Sequence, residues 1–192
     1  MVVPDQQNSS KLNDKTDEQL AAESQRDRSG GAAFNCLLER YRQKVWRICF
    51  RLMGNEQDAH DAAQEVFVRL FLNRAKFEGR SKYSTWLHGV AVRTCLSLRR
   101  SRSRRDRRVR ITSEPPEPTG RTEDSKSKAL EIDLLQILET LSEEDRAMMI
   151  LKHAEGYNYE ELAEMFDLTV SACKMRLSRA REKLKEQFPD QL

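Results

Sequence analysis

The residues of this sequence best suited to chemistry are arginines and lysines gathered in two blocks, and what they suit is the holding of phosphate rather than bond making or breaking. Between Arg93 and Arg110 there are nine arginines against one acid, Asp106, and between Lys174 and Lys185 six basic residues against Glu182. The net charge over 192 residues is only +3, so the rest of the chain is neutral to acidic, and the two blocks mark two places for a polyanion. Catalytic and metal-binding patterns point nowhere: His60, His88 and His153 are scattered, and no phosphate-cradling glycine loop is present. No cofactor, no metal and no enzymatic activity are expected. Cys36, Cys49, Cys95 and Cys173 lie far apart within apolar-periodic segments and read as buried thiols of a reducing cytosol. The amino terminus lacks the form of a signal peptide, and no apolar run approaches the roughly 20 residues that span a bilayer. A cytoplasmic protein without membrane insertion is expected.

The second block sits in a helix-turn-helix pattern. Asn158 and Glu161 form a capping pair, Leu162, Ala163 and Phe166 face inward, Asp167 falls at the turn, and Thr169 caps a second helix with Cys173 and Leu177 inward. That second helix offers Ser171, Lys174, Arg176, Arg179 and Arg181 on its other faces, as a major-groove reader requires for phosphate and base-edge contacts. A basic, solvated helix of an ordinary bundle would carry the same residues.

The elements that must position these blocks are all helical. Thr16 starts a helix with Gln19 completing its capping box. After the Gly30-Gly31 break, Phe34, Leu37, Leu38, Tyr41, Val45, Ile48 and Leu52 recur at helical spacing until Gly54. A third helix, Asn55 to Asn73, carries Ala59, Ala62, Ala63, Val66, Phe67, Leu70 and Phe71 in a three-four alternation. Its outward acids, Asp58, Asp61 and Glu65 with Gln64, suit a basic, hydrogen-bonding partner, although acids near a helix amino terminus also serve the helix dipole. A connection from Arg74 to Tyr83 leads to a helix near Ser84, with Leu87, Val90, Ala91, Cys95 and Leu98 inward, which runs into the first arginine block. Apolar periodicity then stops, and Pro115, Pro116, Pro118 and Gly120 mark a flexible linker. Helical spacing returns at Ala129 with Leu130, Leu134, Ile137, Leu138 and Leu141, and Ser142 caps a helix carrying Ala147, Ile150, Leu151 and Ala154 up to Gly156. Hydrophobic residues are 38% and charged ones 34% of the chain, enough for two small cores rather than one large one. The expectation is an all-α protein: a disordered leader (1–15), a helical domain (16–104), a linker (105–128), a helix-turn-helix domain (129–188) and a short tail (189–192).

From Thr16 to about Phe188 the chain resembles the extracytoplasmic-function sigma factors of the sigma-70 family. The segment Asp58 to Phe71 is similar to that family's second conserved region, followed by an F-x-G-x-S-x-x-x-T-W-L pattern at Phe77, Gly79, Ser81, Thr85, Trp86 and Leu87; Tyr157 to Leu184 resembles the fourth region. The resemblance implies a sigma region 2 helical bundle and a sigma region 4 helix-turn-helix. It also implies binding of core RNA polymerase and promoter-specific initiation of transcription, with an anti-sigma factor as a further partner. By that resemblance Asp58, Asp61, Gln64, Glu65 and Phe67 would meet the polymerase clamp. Phe77, Tyr83, Trp86, Arg93, Arg99 and Arg100 would hold the opened −10 strand through stacking and phosphate neutralisation. Trp86, in a first helical turn beside core positions, reads more as structural. The −35 element would fall to Ser171, Lys174, Arg176, Arg179 and Arg181.

The chain departs from the family pattern at Arg93 and Ser97, where many members carry asparagine and aspartate. In the recognition helix it has Ala172 and Met175 for threonine and serine. The family's promoter consensus is therefore not carried over. A helix-turn-helix regulator independent of polymerase would account for the last segment, but not for the clamp-like helix, the Trp86 region or the arginines after it.

Overall fold

The computed structural model describes residues 12–27, 31–112, 137, 138 and 140–188. Among them the elements are α1 (Asp17–Arg26), α2 (Gly31–Met53), α3 (Glu56–Asn73), a 3-10 turn (Arg74–Lys76), α4 (Tyr83–Thr112), α5 (Glu143–His153), α6 (Tyr159–Phe166) and α7 (Val170–Gln187), with no strand. The chain divides into two compact units, Met1–Cys95 with Glu164–Asp167, and Leu96–Ala163 with Leu168–Leu192.

In the first unit the expected capping box opens α1: Gln19 N donates to Thr16 Oγ1 at 3.2 Å and Thr16 N to Gln19 Oε1 at 2.9 Å. Order begins before Thr16. Arg40 Nη2 donates to the carbonyls of Leu12 at 3.2 Å and Asn13 at 2.7 Å, and Lys15 pairs with Glu23 at 2.5 Å. The end of the expected leader is thus tied to α2, while residues 1–11 lie outside the described residues.

Helices α2 and α3 pack closely because α3 turns three alanines, Ala59, Ala62 and Ala63, toward the buried Leu37, Val45, Ile48 and Leu52 of α2. Phe67 and Phe71, expected inward, sit at the margins of that stripe and are half-buried. Phe71 meets Phe34 edge-on at 5.4 Å and lies 4.2 Å beneath the Arg74 guanidinium. Cys49 on α2 and Cys95 on α4 are fully buried with their sulfurs 3.6 Å apart. The hydrogen bond shared with Cys95, and then burial, push the Cys49 thiol pKa up.

The connection after α3 is clamped to α1, since Gln25 Nε2 donates to the carbonyls of Arg74 at 3.0 Å and Phe77 at 2.8 Å. Helix α4 then continues to Thr112, beyond the expected domain end at 104. From Val90 to Glu114 there is neither glycine nor proline, and arginine is among the better helix formers, so the helix persists without an apolar face. The first eight residues of the expected linker, 105–112, are thus helical. Residues 113–136 lie outside the described residues, and with them most of the helix expected from Ala129; its Ile137 and Leu138, and Leu141 after it, are buried.

In the second unit Ser142 Oγ accepts from Asp145 N at 3.1 Å to cap α5, which buries Ala147, Met148, Ile150 and Leu151. The Asn158–Glu161 box closes with bonds of 3.0 and 2.8 Å. On α6 Leu162 and Ala163 are buried in this unit; Met165, buried, and Phe166, half-buried, fall in the 164–167 segment grouped with the first unit. Asp167 takes the left-handed conformation, φ 55°, at the turn. Thr169 Oγ1 accepts from Ala172 N at 3.1 Å, and α7 buries Cys173, Leu177, Ala180 and Leu184. The helix-turn-helix is formed as the spacing predicts.

Candidate polymerase and nucleic-acid interfaces

Helix α7 turns one continuous stripe away from its buried face: Ser171, Lys174, Met175, Ser178, Arg179 and Glu182 are all exposed. Lys174 is held over the Tyr159 ring at 5.4 Å, which Lys152 also faces at 4.4 Å. Arg181 is exposed but lies to the side, with Nη2 3.0 Å from His153 Nε2. Arg176 is off the stripe altogether. Its Nε donates to Asp145 Oδ1 at 2.8 Å and its Nη1 to Glu144 Oε2 at 3.0 Å, so two of the three acids in the first turn of α5 grip it. Burial by itself would lower the Arg176 pKa, but Glu144 and Asp145 outweigh it and raise the value.

Within the second unit the same acidic turn engages two further arginines: Arg99 Nε pairs with Glu143 at 2.5 Å, and Arg100 with Glu144. Arg146 also reaches Glu143, at 2.6 Å. Burial pushes the Glu143 pKa up, and the hydrogen bonds from Arg99 and Arg146 more than reverse this, leaving it below the usual carboxylate value. A carboxylate depressed in the folded state stabilises at pH above its unfolded pKa and loses that contribution as pH falls through the folded value. The urea midpoint is therefore expected to drop on acidification below about pH 4.5. Glu143→Gln should reduce the accompanying loss of unfolding free energy by less than about 1 kcal/mol, because the pair is about a third exposed. An identical acid profile in the variant would show that the pairing contributes nothing.

The −10 set is brought together in part. Phe77, Tyr83 and Trp86 form one cluster, with ring centroids 5.2 to 5.6 Å apart. Tyr83, however, is only 3% exposed, and burial, then the charge of Asp17, pushes its phenol pKa up. It packs against Tyr41 at 6.0 Å and serves the core, so a base cannot stack on it without opening the unit. Phe77 and Trp86 are half-buried and keep an edge at the surface. Arg93 and Arg100 are exposed on α4, and Arg99 is half-buried.

On α3, Asp61 and Gln64 are exposed, Gln64 contacting His60 Nδ1 at 3.2 Å. Glu65 pairs with Arg69 at 2.6 Å. Asp58 is engaged at the helix start, its N–H donating to Asn55 Oδ1 at 2.9 Å and its carboxylate accepting from Asn55 Nδ2 at 2.5 Å. Phe67 lines an open cleft of about 730 Å³ between α2 and α3 with Leu38, Arg42, Trp46, Arg47 and Gln64. The sequence reading missed the apolar part of this surface. Val68 and Leu72 of α3 are 53% and 69% exposed, and Trp46 stacks on Phe50 at 5.2 Å on α2, also partly exposed. The signal was present, since Val68 and Leu72 are apolar positions off the inward alternation.

Residues 37–105 match the Sigma-70 region 2 family and residues 131–184 the Sigma-70 region 4 family. The chain is 31% identical over 160 residues to the ECF RNA polymerase sigma-E factor of Escherichia coli K12, covering 78% of this chain and 83% of that one. It is 29% identical to the ECF RNA polymerase sigma factor SigW of Bacillus subtilis 168, covering 82% of this chain and 90% of SigW. In fold it is similar to CnrH, solved in complex with the cytosolic domain of CnrY, at TM-score 0.63 and 23% identity over 91% of this chain and 98% of that one. It is similar also to the sigma factor RpoE of Bartonella quintana, solved with the anti-sigma factor NepR, at TM-score 0.60 and 21% identity over 82% of this chain and 97% of that one. A bundle carrying the region 2 pattern and a helix-turn-helix carrying the region 4 pattern define a sigma subunit of bacterial RNA polymerase. The chain belongs to the extracytoplasmic-function sigma factors of the sigma-70 family.

Proposed function

We propose that the protein binds core RNA polymerase through the outer face of α3 and its cleft with α2, and directs initiation by reading the −10 and −35 elements with separate units. The observation that carries the duplex-reading part is the exposed stripe of α7, which sets Lys174 and Arg179 on one outward face of a capped, well-packed helix-turn-helix. For the −10 strand, Phe77 and Trp86 supply the aromatic edge and Arg93 the positive charge, all within the first unit, with Tyr83 packed against both rings. On α7 the base-reading set is Ser171, Lys174 and Arg179. Arg181 attracts phosphate from the side, and Arg176 is a positioning residue that fixes α7 against α5. The work is binding and discrimination rather than bond chemistry, and it takes place in the cytoplasm, where polymerase and promoter DNA are. No helix among the described residues is long and apolar enough to cross a membrane. An anti-sigma partner is proposed on the strength of the relative solved with NepR.

The test is run-off transcription on genomic fragments with core polymerase, with and without the protein. Discrete transcripts that require the protein are expected. Unchanged transcription in its presence, together with footprints from the protein alone, would favour a polymerase-independent regulator instead.

A further inference from the structure

The exposed stripe of α7 contains one residue that neither charge nor the fold explains. Met175 is 51% exposed, and among the described residues it is the one large exposed hydrophobic side chain of the second unit. At about 100° per residue, Met175 projects opposite the centre of the buried row Cys173, Leu177, Ala180 and Leu184. Ser171, Ser178, Arg179 and Glu182 lie within about 60° of it on either side by the same geometry. It is the sixth residue of α7, inside the amino-terminal half that a recognition helix presents to base edges. Lys174 and Arg179 flank it with the positive charge that draws a phosphate backbone to both sides of this point.

We infer that Met175 is a specificity-determining residue that packs against the C5-methyl group of a thymine in the −35 major groove. The thioether chain has no hydrogen-bond donor and is a poor acceptor, so it cannot read the polar edges of guanine, cytosine or adenine. The thymine methyl is the one apolar feature that the major groove offers, and an unbranched, polarizable side chain can mould to it. Arg176 contributes indirectly. Held by Glu144 and Asp145, it fixes the rotation of α7, so that Met175 rather than a neighbouring residue points outward. The inference rests on the assignment of α7 to the −35 duplex.

The test uses holoenzyme reconstituted from the full chain and core polymerase. A duplex library randomised across the upstream promoter region is first enriched for binding. Each thymine of the enriched −35 element is then replaced in turn by deoxyuridine, which deletes only the methyl group. At one position the wild-type holoenzyme is expected to bind about fourfold more weakly, the worth of one buried methyl. Met175→Ala should bind the thymine and uracil duplexes equally, whereas Met175→Leu should keep the discrimination. Because Met175 is exposed, neither variant disturbs the core. Wild-type indifference to every replacement would overturn the inference, as would a methyl dependence that survives in Met175→Ala. If no upstream sequence is enriched at all, the assignment of α7 itself fails, an outcome distinct from enrichment without a methyl effect.

Discussion

Replacing Asp61 and Glu65 together by arginine is expected to lower capture of core polymerase at least about tenfold, because two favourable rim charges become repulsive at once. The choice of positions follows from what each acid does in the free protein. Asp58 accepts from Asn55 at the start of α3, so reversing it would also damage the cap and the dipole interaction, and weaker capture would then have two explanations. Asp61 is exposed and takes no part in that cap. Among the described residues Glu65 pairs with Arg69 four residues on, an exposed contact worth about 0.2–0.5 kcal/mol, so its loss leaves the helix standing. Helical content by circular dichroism should be unchanged while immobilised variant retains little polymerase. Full capture by a folded variant would remove this face of α3 from the interface and leave the exposed Val68 and Leu72 without a partner there.

Arg176 and Arg179 are three residues apart on one helix, and their alanine variants are expected to fail in different ways. Arg176→Ala deprives Glu144 and Asp145 of a shared counter-charge, and should lower the unfolding free energy by roughly 1 kcal/mol, a figure already reduced for solvent screening at its 30% exposure. The ranking of promoter variants by the holoenzyme should survive. Arg179→Ala removes an exposed stripe residue, so stability should hold, while promoter affinity falls by about 1–3 kcal/mol in a manner that depends on the upstream sequence. Urea titrations, together with affinities across a small panel of −35 variants, separate the two. If Arg176→Ala instead relaxes base preference with stability intact, Arg176 leaves the α5 acids on binding DNA and reads bases itself.

A structural role for Arg176 could not be read from its neighbours in sequence. The carboxylates that hold it lie some thirty residues earlier, across a helix and two turns, and a flank position on a helix is compatible with either groove or protein until the packing angle is known. Tyr83 shows the same limit. Beside Phe77 and Trp86 its sequence context suits a stacking platform, yet Tyr41 from α2 closes over it and makes it core.

What the sequence determined by itself was local or periodic. The Thr16, Asn158 and Thr169 caps involve partners three residues away, the α3 alternation repeats every three or four, and glycine or Asp167 marks the turns, so the helices and the helix-turn-helix were legible directly. The absence of apolar spacing after Arg100 was legible too, but it did not end α4, since helix propensity sustained the backbone to Thr112. Tertiary structure alone decided which arginines face outward, which aromatic is buried, and that the α3 surface joins acids to an apolar cleft supplied partly by Trp46 of α2. These outcomes depend on contacts between residues distant in the chain, and a side chain's type fixes what it can bind but not which neighbour the fold will bring to it.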